Sequence, residues 1–413
     1  MSRSHLLRSV GTLDTQCARQ YLAWLPFMSR RDYLPFGKPN FSDEEIGAVM
    51  RVLRSGWVGM GPETVAFERE LADYVGAPHV VTVNSCTSAL FLSLLVSGVG
   101  HGDEVICPSL TWCSTANAAV YLGAQPVFCD VDANTLCPTV EHVLAKVTPK
   151  TKAVIVVHFG GLAADVEALR RALPKGVVIV EDAAHAFGAR FGDGTSVGSS
   201  GNLTCFSFYA NKNLSTAEGG AIALPEKAVA ERLQSLRQHG LPLDAWQRFT
   251  HAQRLLRCDP LDTLGYKMNY TDLQACIGRV QLARQPQLDA IRLTIARRYQ
   301  AGLSVGSPPL AFQEGCTHPF HARHLFVVQL PLHRMRRSRD DVVLALRAKN
   351  IGASIHYAPL HLMPLYAGGT QPVSLPTTEQ VAARMLTLPI SASMTLSDAE
   401  DVVREFQAVL EEP

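Results

Sequence analysis

Between residues 80 and 225, short runs rich in β-branched residues alternate with segments of helical apolar spacing. This alternation limits the possible folds more than any other feature, because strands separated by helices form a mostly parallel sheet with helices on both faces. We therefore predict an α/β fold. The predicted strands cover residues 80–83, 104–107, 125–130, 153–157, 177–181 and 203–208.

The pattern changes after residue 285. A long arginine-rich helix is followed by a predicted strand at 325–330, a helix at 339–349, a strand near 351–356 and a closing helix after Ser397. These elements predict a smaller C-terminal α+β domain, and 413 residues suffice for two packed domains. The predicted organisation is an N-terminal extension (1–36), a large domain (37–285) and a small domain (286–413).

Composition excludes several classes of partner. A net charge of +1 lacks the basic excess of a nucleic-acid-binding protein. Residues 80–100 carry no charge and are long enough to span a membrane. Because polar residues and a late Gly98 interrupt this run, we predict a buried strand and helix and no membrane span; the polar residues are Asn84, Ser85, Thr87 and Ser88. The ten cysteines form no CxxC pair and favour a reduced, cytoplasmic setting. No histidine spacing typical of a metal site occurs, so no metal is predicted.

The first candidate site is the segment 81–90, where a strand runs into hydroxyl residues and then a helix. Free backbone N–H groups at a helix start suit a phosphate dianion, and the hydroxyls of Thr87 and Ser88 could add donors. An ordinary Ser/Thr helix cap would have the same sequence, so this segment alone does not establish a phosphate site.

The second candidate site is Asp182, which follows a run of four β-branched residues and Glu181. Open α/β sheets bind their ligands at the carboxyl ends of the strands. A carboxylate there can pair with a protonated pyridine nitrogen and keep the ring an electron sink. The alternative is a carboxylate that caps the following turn.

The third candidate site is Lys212, which lies in a polar segment between a strand end and Gly219-Gly220. Desolvation lowers the pKa of a lysine amine and makes it nucleophilic enough to form an imine. Most lysines are only surface charges. The order of features favours Lys212: a phosphate-type helix start, Trp112 after a strand, Asp182, and then Ser207 with Lys212.

These segments resemble the DegT/DnrJ/StrS family of sugar aminotransferases from about residue 36 to the C-terminus. The resemblance rests on motifs at residues 55–57, 61–62, 84–90, 108–112, 181–185, 207–220, 265–269 and 356–357. It implies the fold type I aminotransferase architecture, pyridoxal 5'-phosphate (PLP) as cofactor, and a homodimer whose active sites lie at the subunit interface.

The resemblance also implies a role for each matching residue. Lys212 would bind PLP as a Schiff base, Asp182 would pair with the pyridine nitrogen, and Trp112 would stack on the ring. His185 would lie near the ring and its phenolic oxygen. The remaining implied cofactor residues are Thr87, Ser88 and Ser207 for the phosphate, and Lys267 and Asn269 from the neighbouring subunit.

Three positions refine the resemblance. Lys267 stands where the family often has asparagine. UDP-4-keto-pentose aminotransferases carry the same Gly-Tyr-Lys and share features like Thr111-Trp112 and residues 244–246, so the chain resembles this subgroup most. The segment 355–361 looks more like the family at large. Cys86 stands where the family commonly has glycine.

The expected reaction moves an amino group from an amino acid, glutamate by resemblance, to a nucleotide-linked keto sugar and gives an amino sugar. A non-nucleotide ketone such as a cyclitol is an alternative acceptor. A PLP-dependent sugar dehydratase is a second alternative, although such relatives replace the lysine with histidine. A noncatalytic ligand-binding α/β protein is a third, while a nicotinamide enzyme would need a GxGxxG turn that is missing.

Overall fold

The computed structural model describes residues 30–242, 246, 250, 261, 263–306, 309–367 and 373–411. Its centre is a seven-stranded sheet of order β1-β7-β6-β5-β4-β2-β3. Six strands run in one direction, and β7 is antiparallel to both of its neighbours. The mostly parallel sheet is confirmed. Its strands are β1 His79–Val83, β2 Glu104–Pro108, β3 Gln125–Cys129, β4 Thr151–Val157, β5 Val178–Asp182, β6 Leu203–Ser207 and β7 Gly220–Leu224.

Helices pack around this sheet and around a second, smaller one. The uncharged run at 80–100 forms β1 and α3, and eight of the eleven residues of α3 are buried. Among the described residues, no helix has both the length and the apolar character needed to cross a bilayer. The helices are α1 Asp43–Ser55, α2 Pro62–Val75, α3 Cys86–Val96, α4 Cys113–Val120, α5 Val140–Leu144, α6 Val166–Ala172, α7 Lys227–Leu236, α8 Asp272–Leu303, α9 Arg339–Ala348, α10 Pro364–Ala367, α11 Pro376–Arg384 and α12 Leu396–Glu411.

The C-terminal part contains a three-stranded antiparallel sheet of order β10-β9-β8. Its strands are β8 Ala311–Phe312, β9 Phe326–Gln329 and β10 Met385–Leu388. The strand predicted near 351–356 is wrong, because within the described part of the chain that segment pairs through isolated bridges, from Ile351 to Leu34 and from Ser354 to Thr387. The proposed boundary at 285/286 falls inside the 32-residue helix α8, next to Pro286.

Part of the predicted N-terminal extension packs on the C-terminal elements. Leu34 is buried in the apolar cluster that contains β9, β10 and α12. Arg30 forms ion pairs of 2.5 Å with both Asp398 and Asp401, at the start of α12. Residues 30–36 are therefore structurally continuous with the C-terminal part, and residues 1–29 lie outside the described residues.

Candidate active site

A cavity of about 460 Å³ opens at the edge of the large sheet where β4, β5 and β6 have their carboxyl ends. This is where open α/β sheets bind ligands. Six of the nine predicted site residues line it: Thr87, Trp112, Asp182, His185, Ser207 and Lys212. Residues separated by more than a hundred positions thus converge on one cavity.

The two acids at the end of β5 have different surroundings because successive side chains of a strand point to opposite faces. Asp182 lines the cavity. Glu181 is fully buried away from it, where Oε2 accepts the Nε2–H of His158 at 2.8 Å and Oε1 accepts bonds from Ser200 and Asn202. Burial alone would raise the pKa of Glu181, but these hydrogen bonds lower it below its ordinary value. Glu181 is a structural acid.

Asp182 is held in place by two donors. The hydroxyl of Thr115 donates to Oδ2 at 2.7 Å, and the backbone N–H of Ala184 donates to Oδ1 at 3.2 Å. The Thr115 hydroxyl also lies 2.9 Å from that of Thr111. Burial raises the pKa of Asp182 because the charged form is desolvated, although both donors oppose the rise. A cationic ligand group would relieve this penalty.

Lys212 belongs to the loop between β6 and β7. Burial of its amine lowers the pKa to about 8, so about a tenth of the amine is neutral at pH 7. The amine lies 3.2 Å from Nε2 of His324, a buried residue just before β9. The neighbouring Asn213 anchors the loop by donating from Nδ2 to the backbone carbonyl of Ala322 at 2.7 Å.

His185 is a neutral ring with a defined tautomer. The backbone N–H of Gly160 donates to Nδ1 at 3.3 Å, so Nε2 carries the proton and donates to the Tyr357 hydroxyl at 3.0 Å. Burial lowers the pKa of His185 well below its ordinary value. Tyr357 in turn lies 5.7 Å, centroid to centroid, from the indole of Trp112, which is 59% exposed.

The N-terminus of α3 forms another wall. Ser85 caps the helix by accepting the N–H of Ser88 at 3.1 Å, and Ser88 donates its own hydroxyl to Asn84 at 2.7 Å. Ser88 is thus buried behind the lining, whereas Thr87 is part of it. A Cβ at Gly220 would lie 2.6 Å from the Cys86 nitrogen, which explains the glycine there. The first N–H groups of α3, at Cys86 and Thr87, have no acceptor within the helix and are available to an anion.

Lys267 and Asn269 do not line this cavity. Lys267 is exposed and pairs with Gln238 in an isolated bridge, and Asn269 donates to the backbone carbonyl of Tyr270 at 3.1 Å. Their predicted role in a neighbouring subunit stays a prediction. Of residues 244–246, Asp244 and Ala245 lie outside the described residues, while the Trp246 ring packs edge-on at 4.9 Å from Trp57.

Sequence reasoning missed two contacts of the site. Thr115 orients Asp182, yet it lies in an ordinary small-residue helix start, and only its position after Trp112 connects it with the site. His324 approaches Lys212 from 112 residues away, and no motif surrounds it. Tyr357 lies in the motif at residues 356–357, for which the sequence predicted no specific role.

The donor set fits PLP. A buried carboxylate whose pKa is raised suits a protonated ring nitrogen, a lysine amine of lowered pKa suits an aldehyde, and a helix N-terminus with Thr87 and Ser207 suits a phosphate. With the doubly wound sheet, this site defines a fold type I PLP enzyme.

Residues 39–407 match the DegT/DnrJ/EryC1/StrS aminotransferase family, and the chain belongs to that family. It is 40% identical over 393 residues to the spore coat polysaccharide biosynthesis protein SpsC of Bacillus subtilis, covering 92% of this chain and 98% of SpsC. It also resembles the aminotransferase TlmJ from Streptoalloteichus hindustanus, with a TM-score of 0.82, 35% identity, and coverage of 92% and 99%.

The PLP form of Spr1654 from Streptococcus pneumoniae gives a TM-score of 0.82 at 30% identity, with coverage of 92% of this chain and 99% of that one. These likenesses confirm the predicted fold class, cofactor and enzyme class. The chain is a PLP-dependent aminotransferase.

Proposed function

We propose that this enzyme transfers an amino group from an amino acid, glutamate, to a nucleotide-linked keto sugar and so produces an amino sugar. The observation that carries the proposal is that Lys212 and Asp182 line one cavity together with the N-terminus of α3. The name of SpsC, a polysaccharide biosynthesis protein 40% identical to this chain, supports a sugar as the acceptor. The reduced thiols of the described cysteines are compatible with the predicted cytoplasmic setting.

In this proposal each wall of the cavity holds one part of PLP. Lys212 would hold the aldehyde carbon, Asp182 the ring nitrogen, and Trp112 one ring face, with His185 near the phenolic oxygen. Thr87, Ser207 and the α3 N-terminus would hold the phosphate, with Ser88 shaping that helix start from behind. When bound, PLP supplies an electron sink for the negative charge that develops on the substrate carbon.

The protein's own contribution is proton transfer and orientation. The pKa of the Lys212 amine, about 8, lies near neutral pH. A group with such a pKa can both take the proton from the substrate carbon and return it. Asp182 stays fixed by Thr115 and Ala184 while it balances the positive ring nitrogen. The bond from His185 fixes the Tyr357 ring beside Trp112 at the cavity wall.

Substrate charge supports a shared site in a twofold homodimer. Among the described lining residues, Lys212 is the one lysine or arginine. In this proposal its amine binds the cofactor and transfers protons, so it does not neutralise substrate charge. A sugar nucleotide carries a diphosphate and the amino donor carries carboxylates, so further cations or backbone donors have to come from elsewhere. We propose that the partner's Lys267 and the partner's Asn269 complete the site.

Borohydride reduction of the holoenzyme tests the assignment of Lys212. The expected result is loss of the visible cofactor absorbance and a mass label on the peptide that contains Lys212, with no label in Lys212→Arg. A label on another lysine would refute the assignment. A colourless protein that binds no PLP would favour the noncatalytic alternative.

Substrate assays test the acceptor. We expect turnover with glutamate to depend strongly on the nucleotide diphosphate of a 4-keto sugar, with a UDP-linked pentose as the first compound to examine. Equal efficiency with a free keto sugar or a cyclitol ketone would refute the nucleotide-linked acceptor and leave the aminotransferase assignment intact. Water loss from the sugar without amination would instead indicate a dehydratase.

A further inference from the structure

His324 lies in the C-terminal part of the chain, and its side chain contacts Nζ of Lys212. Its Nε2 lies 3.2 Å from the Lys212 amine, the residue is 3% exposed, and its other nitrogen, Nδ1, has no hydrogen-bond partner among the described residues. We infer that His324 is a positioning residue for proton transfer, whose Nε2 accepts an N–H from Lys212 and aims the amine at the substrate carbon.

The geometry supports a neutral acceptor. The His324 ring lies 4.6 Å from the His185 ring at an angle of 34°, so packing fixes its plane. Burial and the nearby charge of Lys212 both lower the pKa of His324 well below its ordinary value, which keeps the ring uncharged. The titratable and charged groups around this contact are Lys212, His185, His356, Arg292, Asp182 and Cys86.

A neutral imidazole is suited to both charge states of the lysine. A free amine has two N–H donors and an ammonium has three, so Lys212 can donate to Nε2 before and after it takes the proton. When the substrate C–H bond breaks, the proton moves to Nζ and the electron pair stays on the substrate carbon. The contact holds the amine during this step and stabilises the ammonium, since hydrogen bonds from charged donors are stronger than those from neutral ones.

The test uses the pyridoxamine phosphate form of the holoenzyme, in which Lys212 is free, and rests on the proposed role of Lys212. The rate of Lys212 acylation by acetic anhydride, followed by mass spectrometry across pH, reports the pKa of the amine. We expect His324→Phe, which keeps a ring against His185 but removes the acceptor, to lower the midpoint by about one pH unit or more.

Two variants separate this role from simple packing. His324→Gln retains an acceptor at comparable reach and should stay close to the wild-type midpoint, whereas His324→Asn is too short and should behave like His324→Phe. His321→Gln changes a buried histidine three residues away that bonds Gln313 at 3.2 Å, and it should leave the midpoint unchanged.

The outcomes also separate this inference from the proposed function. If borohydride labels Lys212 and the midpoints of His324→Phe and His324→Asn both equal the wild-type value, His324 only packs and the inference is wrong. If borohydride labels a different lysine, the proposed function itself fails. A lowered midpoint restored by His324→Gln supports the positioning role.

Discussion

Replacing Asp182 by Asn removes one charge from the site with little change in shape. Oδ1 can still accept the N–H of Ala184, and the new Nδ2 can donate to the Thr115 hydroxyl, because that hydroxyl can turn to donate to Thr111, 2.9 Å away. Asp182→Asn therefore keeps its neighbours bonded. The effect of the substitution should come from the missing charge alone.

The size of that effect follows from electrostatics. Two unit charges about 4 Å apart interact by about 4 kcal/mol at an effective dielectric constant of about 20. Each ~1.4 kcal/mol changes a rate tenfold, so the loss should slow the half-reaction with the amino donor by between about a hundredfold and a thousandfold. Stopped-flow measurement of the cofactor absorbance, at saturating donor, gives this rate. A rate within about threefold of wild type would refute the assigned role of Asp182.

Asp182→Asn should slow the reaction but should not destabilise the cofactor-free protein. Burial raises the pKa of Asp182, so the ionised carboxylate destabilises the cofactor-free fold at neutral pH, and this penalty disappears as pH falls through the folded pKa. Asparagine carries no such penalty. We expect the melting temperature of cofactor-free Asp182→Asn to equal or exceed that of the wild type at pH 7.

Glu181→Gln is the matched control from the adjacent position. The pKa of Glu181 is lowered, so its contribution to stability is present above the ordinary value of 4.5 and is lost as pH falls through the folded pKa. In Glu181→Gln one carboxylate oxygen is replaced by an NH2 group, which faces either the Nε2–H of His158 or the Nδ2–H of Asn202, so one of these donors loses its acceptor. We expect about 1–3 kcal/mol of destabilisation with a nearly unchanged half-reaction rate.

Two further predictions concern the dimer and the helix scaffold. Mixing inactive Lys212→Ala with inactive Lys267→Ala chains should restore about a quarter of wild-type activity after subunit exchange, since each heterodimer has one intact site; no recovery despite proven exchange would refute a shared site. Asp272, the first residue of α8, accepts N–H bonds from Gly61 and Thr64 and the Thr64 hydroxyl at the start of α2. Asp272→Ala should lower the free energy of unfolding in urea by roughly 2–4 kcal/mol, and a loss under 1 kcal/mol would contradict this capping role.

Those site residues that lie at the carboxyl ends of strands of the parallel sheet could be predicted from the sequence. Asp182 and Lys212 come after successive strands, and the carboxyl ends of parallel strands meet at one edge, so their convergence follows from the alternation alone. The separation of Glu181 from Asp182 also follows, since a strand alternates its faces. What strand order could not show is which of the two acids faces the ligand, because both are buried.

The C-terminal predictions were weaker because tertiary pairing decides them. The segment 351–356 has β-branched residues and an alternating pattern, yet among the described residues its strand-type pairing is limited to isolated bridges with Leu34 and Thr387. The pairing with Leu34 depends on residues more than 300 positions away, which local pattern cannot indicate. His324 was missed for the same physical reason. Nothing in its local sequence marks it, and its closeness to the Lys212 amine, 3.2 Å, is visible only in the folded chain.

Two glycines after β4 explain how this distant histidine reaches the site. Gly160 and Gly161 have φ values of 67° and 111°, and a Cβ on Gly161 would lie 2.8 Å from the backbone nitrogen of Arg323. The absence of side chains lets the two backbones bond directly, from the Ala322 N–H to Gly161 at 2.8 Å and from the Leu325 N–H to Gly160 at 3.0 Å. The segment so held contains His324. The same glycine pair supplies the N–H that sets the tautomer of His185, so one turn of the large sheet orients both histidines beside the cofactor cavity.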